Sequence, residues 1–253
     1  MVRVFAAPPA DHLERQVEPL TLKWWACLEA LTGEDDVFVR TLAFTWVVLL
    51  LACLRFAHWN RCSLDAVDAF SASGMCSMGK SRVRGARRAF RWTLPRFGLL
   101  NVDLGPRLNA YIADQNVAGS NFMLRDFEPP RAPLAKVNGF GPRPMSLNRF
   151  GRFSYQLFVS EHVGMTRDEA IAFTNSYAAR RCLPTIASLS QLGPLQLLAL
   201  GDWQSAPGAS KAEQKEASSL RMPIRYSDAR TTLALAAKQE CIAVARFVRR
   251  RTL

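Results

Sequence analysis

The sequence predicts a mainly helical α+β domain, and three observations carry that prediction. From Val37 to Arg55 the apolar residues Val39, Leu42, Ala43, Trp46, Val47 and Leu50 recur at i, i+3, i+4 spacing, the period of an amphipathic helix. Ala89-Phe90-Arg91-Trp92-Thr93-Leu94 alternates instead, the period of a half-buried strand, and follows a turn at Met78-Gly79-Lys80-Ser81. Thr166-Arg167-Asp168-Glu169 has the pattern of a capping box opening a helix through Phe173. The 253 residues are enough for one domain with a real core over residues 19–253. Residues 1–18 read as a loose leader, with Pro8-Pro9 marking irregular backbone.

In chain order, Thr21 to Leu31 reads as a short helix with Leu22, Trp25, Ala26 and Leu28 on its apolar face. Gly33-Glu34-Asp35-Asp36 is a turn whose acids favour the start of the next helix. The apolar run Leu42 to Leu54 is too short to span a bilayer and is interrupted by Thr45, so it is a core helix and no membrane partner is expected. Arg55 stands where that helix is expected to end. It either caps the helix or turns its head into a pocket while its stem packs on the core. Ser63 to Phe70 suits a strand or a short helix.

The stretch Lys80 to Arg107 carries Lys80, Arg82, Arg84, Arg87, Arg88, Arg91, Arg96 and Arg107 against Asp103 alone. It is either a basic hairpin that tracks phosphates or a solvated loop. Residues 116–150, rich in Gly, Pro and Asn, read as a long irregular connection that Phe122, Phe127 and Phe140 could anchor. Helical signals return from Phe150 to Val163. Arg180 and Arg181 then lie in an apolar helical pattern, followed by a Leu-Gly-Pro turn and a short helix closed by Gly201. Ser205 to Ser219 is polar and reads as an exposed loop. With Ser227 or Asp228 as N-cap, a last helix runs from Ala229 to about Arg249, its apolar side formed by Leu233, Ala237, Cys241, Val244 and Val248. Its last turn holds Arg246, Arg249, Arg250 and Arg251, which complement the helix C-terminus and could also touch phosphate. No internal repeat is seen.

Lys and Arg number 33 against 21 Asp and Glu, a net charge of +12, and arginine greatly outnumbers lysine. Arginine favours planar, bidentate recognition of anions, so the expected partner is a polyanion, with nucleic acid ahead of an anionic membrane surface. The six cysteines form no CxxC pair and sit mostly among apolar neighbours, which suits reduced thiols in an intracellular protein rather than a zinc site or a disulfide framework. Three histidines (His12, His58, His162) exclude a histidine-rich metal site. The first ten residues lack the pattern of a signal peptide. A charged pair such as Arg180-Arg181 beside a core needs an anionic partner, either an acidic side chain or a phosphate.

Taken in order, Arg55, Lys80, Tyr177-Ala178-Ala179-Arg180, Leu200-Gly201-Asp202-Trp203 and Tyr226 resemble the catalytic domain of the tyrosine recombinase (phage integrase-like) family. The likeness is nearer to divergent eukaryotic and retroelement-associated members than to bacterial ones, and covers roughly residues 20–240. That family orders a first arginine near the end of a buried helix, a lysine on a β-hairpin turn, a His-x-x-Arg box, a Leu-Gly-His or Gly-Gly-Trp box, and a nucleophilic tyrosine at a late helix. The resemblance implies the DNA breaking-rejoining enzyme fold with a small antiparallel sheet; the separate helical core-binding domain that precedes it in the family is not expected within this sequence. It implies DNA as partner, copies of the chain assembling on it, no metal or cofactor, and a nuclear location in a eukaryotic host.

By the same resemblance, Arg55 and Arg180 are the two forks that stabilise the extra charge of a five-coordinate phosphorus. Lys80 protonates the departing 5′ oxygen, and Tyr226 attacks phosphorus to give a 3′-phosphotyrosine link. The basic stretch offers Arg82, Arg84, Arg87, Arg88 and Arg91 as contacts to DNA, and Arg181 supports either the fold or a contact to the DNA backbone. The gap from Gly201 to Tyr226 is longer than usual in the family, and three site residues depart from its pattern. Tyr177 replaces the histidine of His-x-x-Arg, and a phenol donates a hydrogen bond but is a poor proton shuttle near neutral pH. His58 stands where an acidic residue is usual, three positions after Arg55, and can partly serve as proton acceptor. Asp202 replaces the histidine of Leu-Gly-His and would oppose phosphate unless the Trp203 indole N–H takes the donor role. The alternative expectation is a degenerate relative that binds DNA without cutting it.

Overall fold

One helix, α2 (Val37–Leu51), is buried along nearly its whole length and organises the rest of the chain. The structure is a computed structural model that describes residues 21–77, 82–83, 86–87, 89–120, 122–174, 177–187, 190, 192–193, 196, 199–200 and 229–252. Asp36 caps α2, its carboxylate accepting from the N–H groups of Phe38 and Val39 at 2.8 and 3.1 Å. Every residue from Thr41 to Leu51 is buried, as expected for a helix that is apolar all round. Trp46 donates its indole N–H to Ser154 Oγ at 2.8 Å and packs on Phe150 and Phe158.

Helix α1 (Leu22–Leu31), capped by Thr21, packs on α2. Its buried face is Trp24, Trp25, Leu28, Glu29 and Leu31, so it is rotated from the expected one: Leu22 and Ala26 are only partly covered. Glu29 is fully buried, and its carboxylate accepts from Leu99 N at 2.6 Å and Leu100 N at 2.8 Å. Burial outweighs these hydrogen bonds and raises its pKa above the usual carboxylate value.

After a four-residue helix α3 (Phe56–Trp59), β1 (Cys62–Val67) settles the open choice at residues 63–70 in favour of a strand. It pairs antiparallel with β2 (Ser71–Cys76), which pairs antiparallel with β5 (Phe90–Pro95). A Cβ at Gly74 would fall 1.9 Å from the Ser63 carbonyl oxygen, so only glycine lets β1 and β2 approach this closely. Within the connection between β2 and β5, β3 (Arg82–Val83) pairs with β4 (Ala86–Arg87).

The one acid of the basic stretch, Asp103, caps α4 (Leu104–Gln115) through Gly105 N and forms an ion pair with Arg96 at 2.8 Å. Both roles are internal to the domain. Helix α4 carries the buried Tyr111, whose hydroxyl donates to Met123 O at 2.6 Å, accepts from Trp59 Nε1 at 3.0 Å and lies 3.1 Å from Thr45 Oγ1.

The connection expected at 116–150 is in fact ordered: β6 (Arg125–Glu128) and β7 (Gly139–Pro144) pair antiparallel, with a single 3-10 turn at Leu134–Lys136 between them. The reason is aromatic. Phe127 is fully buried and packs on Phe38, Phe140 and Phe153, while Phe122 is half-buried outside that cluster. Helix α5 (Leu147–Val159) begins inside the expected connection and ends before Val163. Helix α6 (Arg167–Phe173) opens on the expected capping box, with Thr166 and Glu169 bonding reciprocally.

Helices α7 (Tyr177–Ala187) and α8 (Ala229–Thr252) close the core: α7 packs on α2, and α8 packs on α7 and β5. The buried face of α8 is Ala234, Ala237, Lys238, Cys241, Ile242 and Ala245. Leu233 and Val244 are half-buried and Val248 is exposed, so the expected stripe is rotated. Arg246 also has an internal partner, donating to Gly98 O through Nε at 3.2 Å. All six cysteines are free thiols. Among the described residues, no helix is long and apolar enough to cross a membrane. The leader at 1–18, the turn at Met78–Ser81, the Gly201 helix end, the loop at 205–219 and the Ser227/Asp228 cap lie outside the described residues.

Candidate anion-binding and catalytic site

Helix α2 ends at Leu51, not at Arg55. Cys53 adopts a left-handed conformation with φ 53°, Leu54 N bonds back to Leu49 O at 3.1 Å, and Cys53 N bonds to Leu50 O at 3.3 Å. This pair of bonds is a Schellman motif, which turns the chain out of the helix without glycine. The apolar run continues to Leu54, so periodicity does not mark the stop. Arg55 therefore stands four residues beyond the end of α2. It is the N-cap residue of α3, in extended conformation, and its carbonyl accepts from His58 N at 2.8 Å and Trp59 N at 3.1 Å.

One turn on, His58 is only 8% exposed. Its carbonyl accepts from the thiols of Cys62 and Cys76 at 3.1 and 3.6 Å, which tie α3 to β1 and β2. The ring meets Phe90 edge-on at 5.2 Å, and Nδ1 is buried without a hydrogen-bond partner. Burial first, then the charges of Arg180, Arg55 and Arg61, lower its pKa from 6.5 to about 4. The imidazole is thus neutral at pH 7, with a buried nitrogen able to accept a proton.

Arg180 reaches this place from α7, where Ala178, Ala179, Cys182, Leu183 and Ile186 bury the face that packs on α2. Pro184 lies inside α7, and having no N–H it cannot bond to the Arg180 carbonyl four residues earlier. The turn that carries Arg180 is looser by that one bond. Arg180 also acts on Cys53, together with Lys238 of α8. Lys238 is 2% exposed, donates from Nζ to Thr93 O at 2.7 Å, and has its pKa lowered by burial to about 8.

Of the expected site residues, Arg55, a helix cap, and Arg180, on a helix late in the chain, both act through their charges on His58, which lies on the helix that Arg55 starts. Arg181, beside Arg180, is half-buried, and Arg91 is exposed on β5. The backbones of Arg82 and Arg87 face each other across β3 and β4. Tyr177 is the first residue of α7, one turn before Arg180. Lys80, Arg84, Arg88, Asp202, Trp203 and Tyr226 lie outside the described residues. Two further cations were not expected from sequence: Arg61, which acts on His58, and Lys238, which acts on Cys53. Arg61 has no signal there beyond its charge. Lys238 does have one: it follows Ala237 and precedes Cys241-Ile242 on what is otherwise an apolar helix face.

No protein-family model matches the chain, and comparison with curated proteins and with solved structures finds no match.

The geometry around His58 has a direct consequence for stability. Its pKa is about 4 in the folded chain and 6.5 ordinarily, so the unfolded chain binds the proton more tightly. The contribution of neutral His58 is complete above pH 6.5 and is lost as pH falls toward 4, amounting to about 3 kcal/mol across that window. Urea unfolding at stepped pH should show this loss in the wild type and a flatter curve in His58→Gln. Parallel curves would contradict the burial and charge described.

Proposed function

We propose that the chain breaks and rejoins DNA strands through a covalent 3′-phosphotyrosine intermediate, in the manner of tyrosine recombinases. The observation that carries this reading is that Arg180, far along the chain, and Arg55, one turn away, both act on buried His58, at positions that the family order singles out. Two guanidinium forks beside a neutral imidazole suit a phosphodiester that gains charge in the transition state. The antiparallel order β1-β2-β5 adds support, because Lys80 falls in the connection between β2 and β5.

In the proposed reaction the Tyr226 oxygen attacks phosphorus and its proton passes to His58. The bond from phosphorus to the 5′ oxygen breaks, and Lys80 supplies the proton to that oxygen. Attack of a 5′-hydroxyl on the phosphotyrosine reverses the sequence and rejoins a strand, with the bond energy conserved. A free imidazole with a pKa near 4 is a weak base. A bound phosphodiester offsets the arginine charges that depress it and makes it a better one. The enzyme would act inside the cell, in the nucleus of a eukaryotic host, with copies of the chain assembling on DNA.

The test is a DNA substrate nicked near the cleavage point, on which cleavage releases a short fragment and strands the protein on the DNA. A covalent adduct that is lost in Tyr226→Phe is the expected result. Tyr177 and Asp202, which depart from the family pattern, favour a second reading: a relative that binds DNA without cutting it. Salt-sensitive binding with no adduct on any of a broad panel of substrates would select that one.

A further inference from the structure

Helix α8 carries one charged side chain, Lys238, into the core. Its ammonium donates to Thr93 O on β5 at 2.7 Å, and among the described residues no carboxylate pairs with it. The titratable group that acts on it is a thiol, Cys53 at the end of α2, and Cys53 in turn acts on Cys182 of α7 and on Cys241 of α8, the latter also facing Glu240. A methionine would fill such a place at less cost than a buried ammonium, because removing a charge from water is penalised unless it is paired. Lys238 is also placed to matter to the arginine site. Cys53, two residues before Arg55, feels both Lys238 and Arg180.

We propose that Lys238 is a supporting cation of the candidate site, adding its buried charge to the field that Arg55 and Arg180 present to a DNA phosphate. The proposal rests on the reading that those two arginines take a phosphodiester. A charge in the poorly screened interior acts over a longer range than one in water, so Lys238 need not touch the phosphate to favour it. Its proton is held only moderately well. Burial brings its pKa to about 8, against a small opposing effect of Cys53. Burial pushes Cys182 and Cys241 to about 12, so they stay neutral through that range, and it also raises Cys53. DNA binding should therefore weaken on passing from pH 7 to pH 9, as Lys238 discharges.

The experiment measures the affinity of the full chain for a fluorescently labelled DNA duplex at fixed salt, from pH 6.5 to 9.5. Wild type should lose about tenfold in affinity through pH 8, the effect of one unit charge at moderate distance. Lys238→Met should bind about tenfold more weakly at pH 7, show no step near pH 8, and melt no lower than wild type. Lys238→Gln retains a donor for Thr93 O but no charge. It should bind like Lys238→Met, which separates the field of the ammonium from its tie to the strand, and it serves as a second uncharged variant should Lys238→Met fold poorly. A wild-type step that persists unchanged in Lys238→Gln, or a Gln variant that binds as tightly as wild type at pH 7, would overturn the proposal while leaving the phosphodiester reading intact. Absence of salt-sensitive DNA binding at every pH would overturn both.

Discussion

Arg180→Ala is expected to slow covalent adduct formation by about 10²- to 10³-fold, the usual loss when one preorganised donor to transition-state charge is removed. The chain should remain folded, because the buried face of α7 is made by Ala178, Ala179, Cys182, Leu183 and Ile186 rather than by the guanidinium. Arg180→Lys should restore only part of the rate, since an ammonium keeps the charge but loses the planar fork. The same variant carries a second readout that does not depend on catalysis. Arg180 is the leading charge that depresses His58, so in Arg180→Ala the His58 imidazole should titrate at higher pH than in wild type. An NMR titration of His58 that is unmoved would refute the geometry, whatever the enzyme assay gives. A moved titration with an unchanged adduct rate would keep the geometry and remove Arg180 from the chemistry.

Glu29→Ala should cost about 3–4 kcal/mol, because it leaves the N–H groups of Leu99 and Leu100 buried without an acceptor and opens a cavity where the carboxylate lay. For a chain of this length the melting temperature should fall by roughly 10 °C. The damage should not stay local. The same segment is held from the other side by Arg246 of α8 on Gly98 O, so loosening residues 98–100 also loosens the seat of α8. Hydrogen exchange along α8 should rise in Glu29→Ala. Glu29 also leaves a mark on the pH profile. Its folded pKa is raised, so the folded chain holds the proton more tightly than the unfolded chain and stability declines as pH climbs above the ordinary carboxylate range. That decline should be absent in Glu29→Gln. A Glu29→Ala variant as stable as wild type would mean that the carboxylate does not carry these two bonds.

Elements whose signals are local were legible in the sequence. Helix α2 and the capping box of α6 follow from spacing and from one cap residue each. Elements whose signals are distant were not. Glu29 looks like an exposed helix charge because its partners are backbone groups far along the chain. The β6–β7 hairpin is hidden among Gly, Pro and Asn, and only the packing of Phe127 on Phe38 and Phe153 explains it. Helix α4 has Gly105-Pro106 in its first turn, which masks the helical spacing of Leu104, Leu108, Tyr111 and Ile112. For the candidate site, Arg55, His58 and Arg180 could be proposed from order and spacing through the family resemblance. Lys238 could not, because a lysine on an amphipathic helix is ordinarily assigned to the wet face, and its burial is decided by β5 and α7.

The left-handed Cys53 sets a limit on how this chain can drift. Its backbone conformation excludes β-branched residues and favours glycine or asparagine. The space its thiol fills, beside groups reached by Lys238 and Arg180, instead favours a small, poorly hydrated side chain. Cysteine is one of few residues that meet the second demand while tolerating the first. Saturation mutagenesis at this one position should return a short list of accepted residues, and lineages that lost Lys238 should be released toward glycine at position 53.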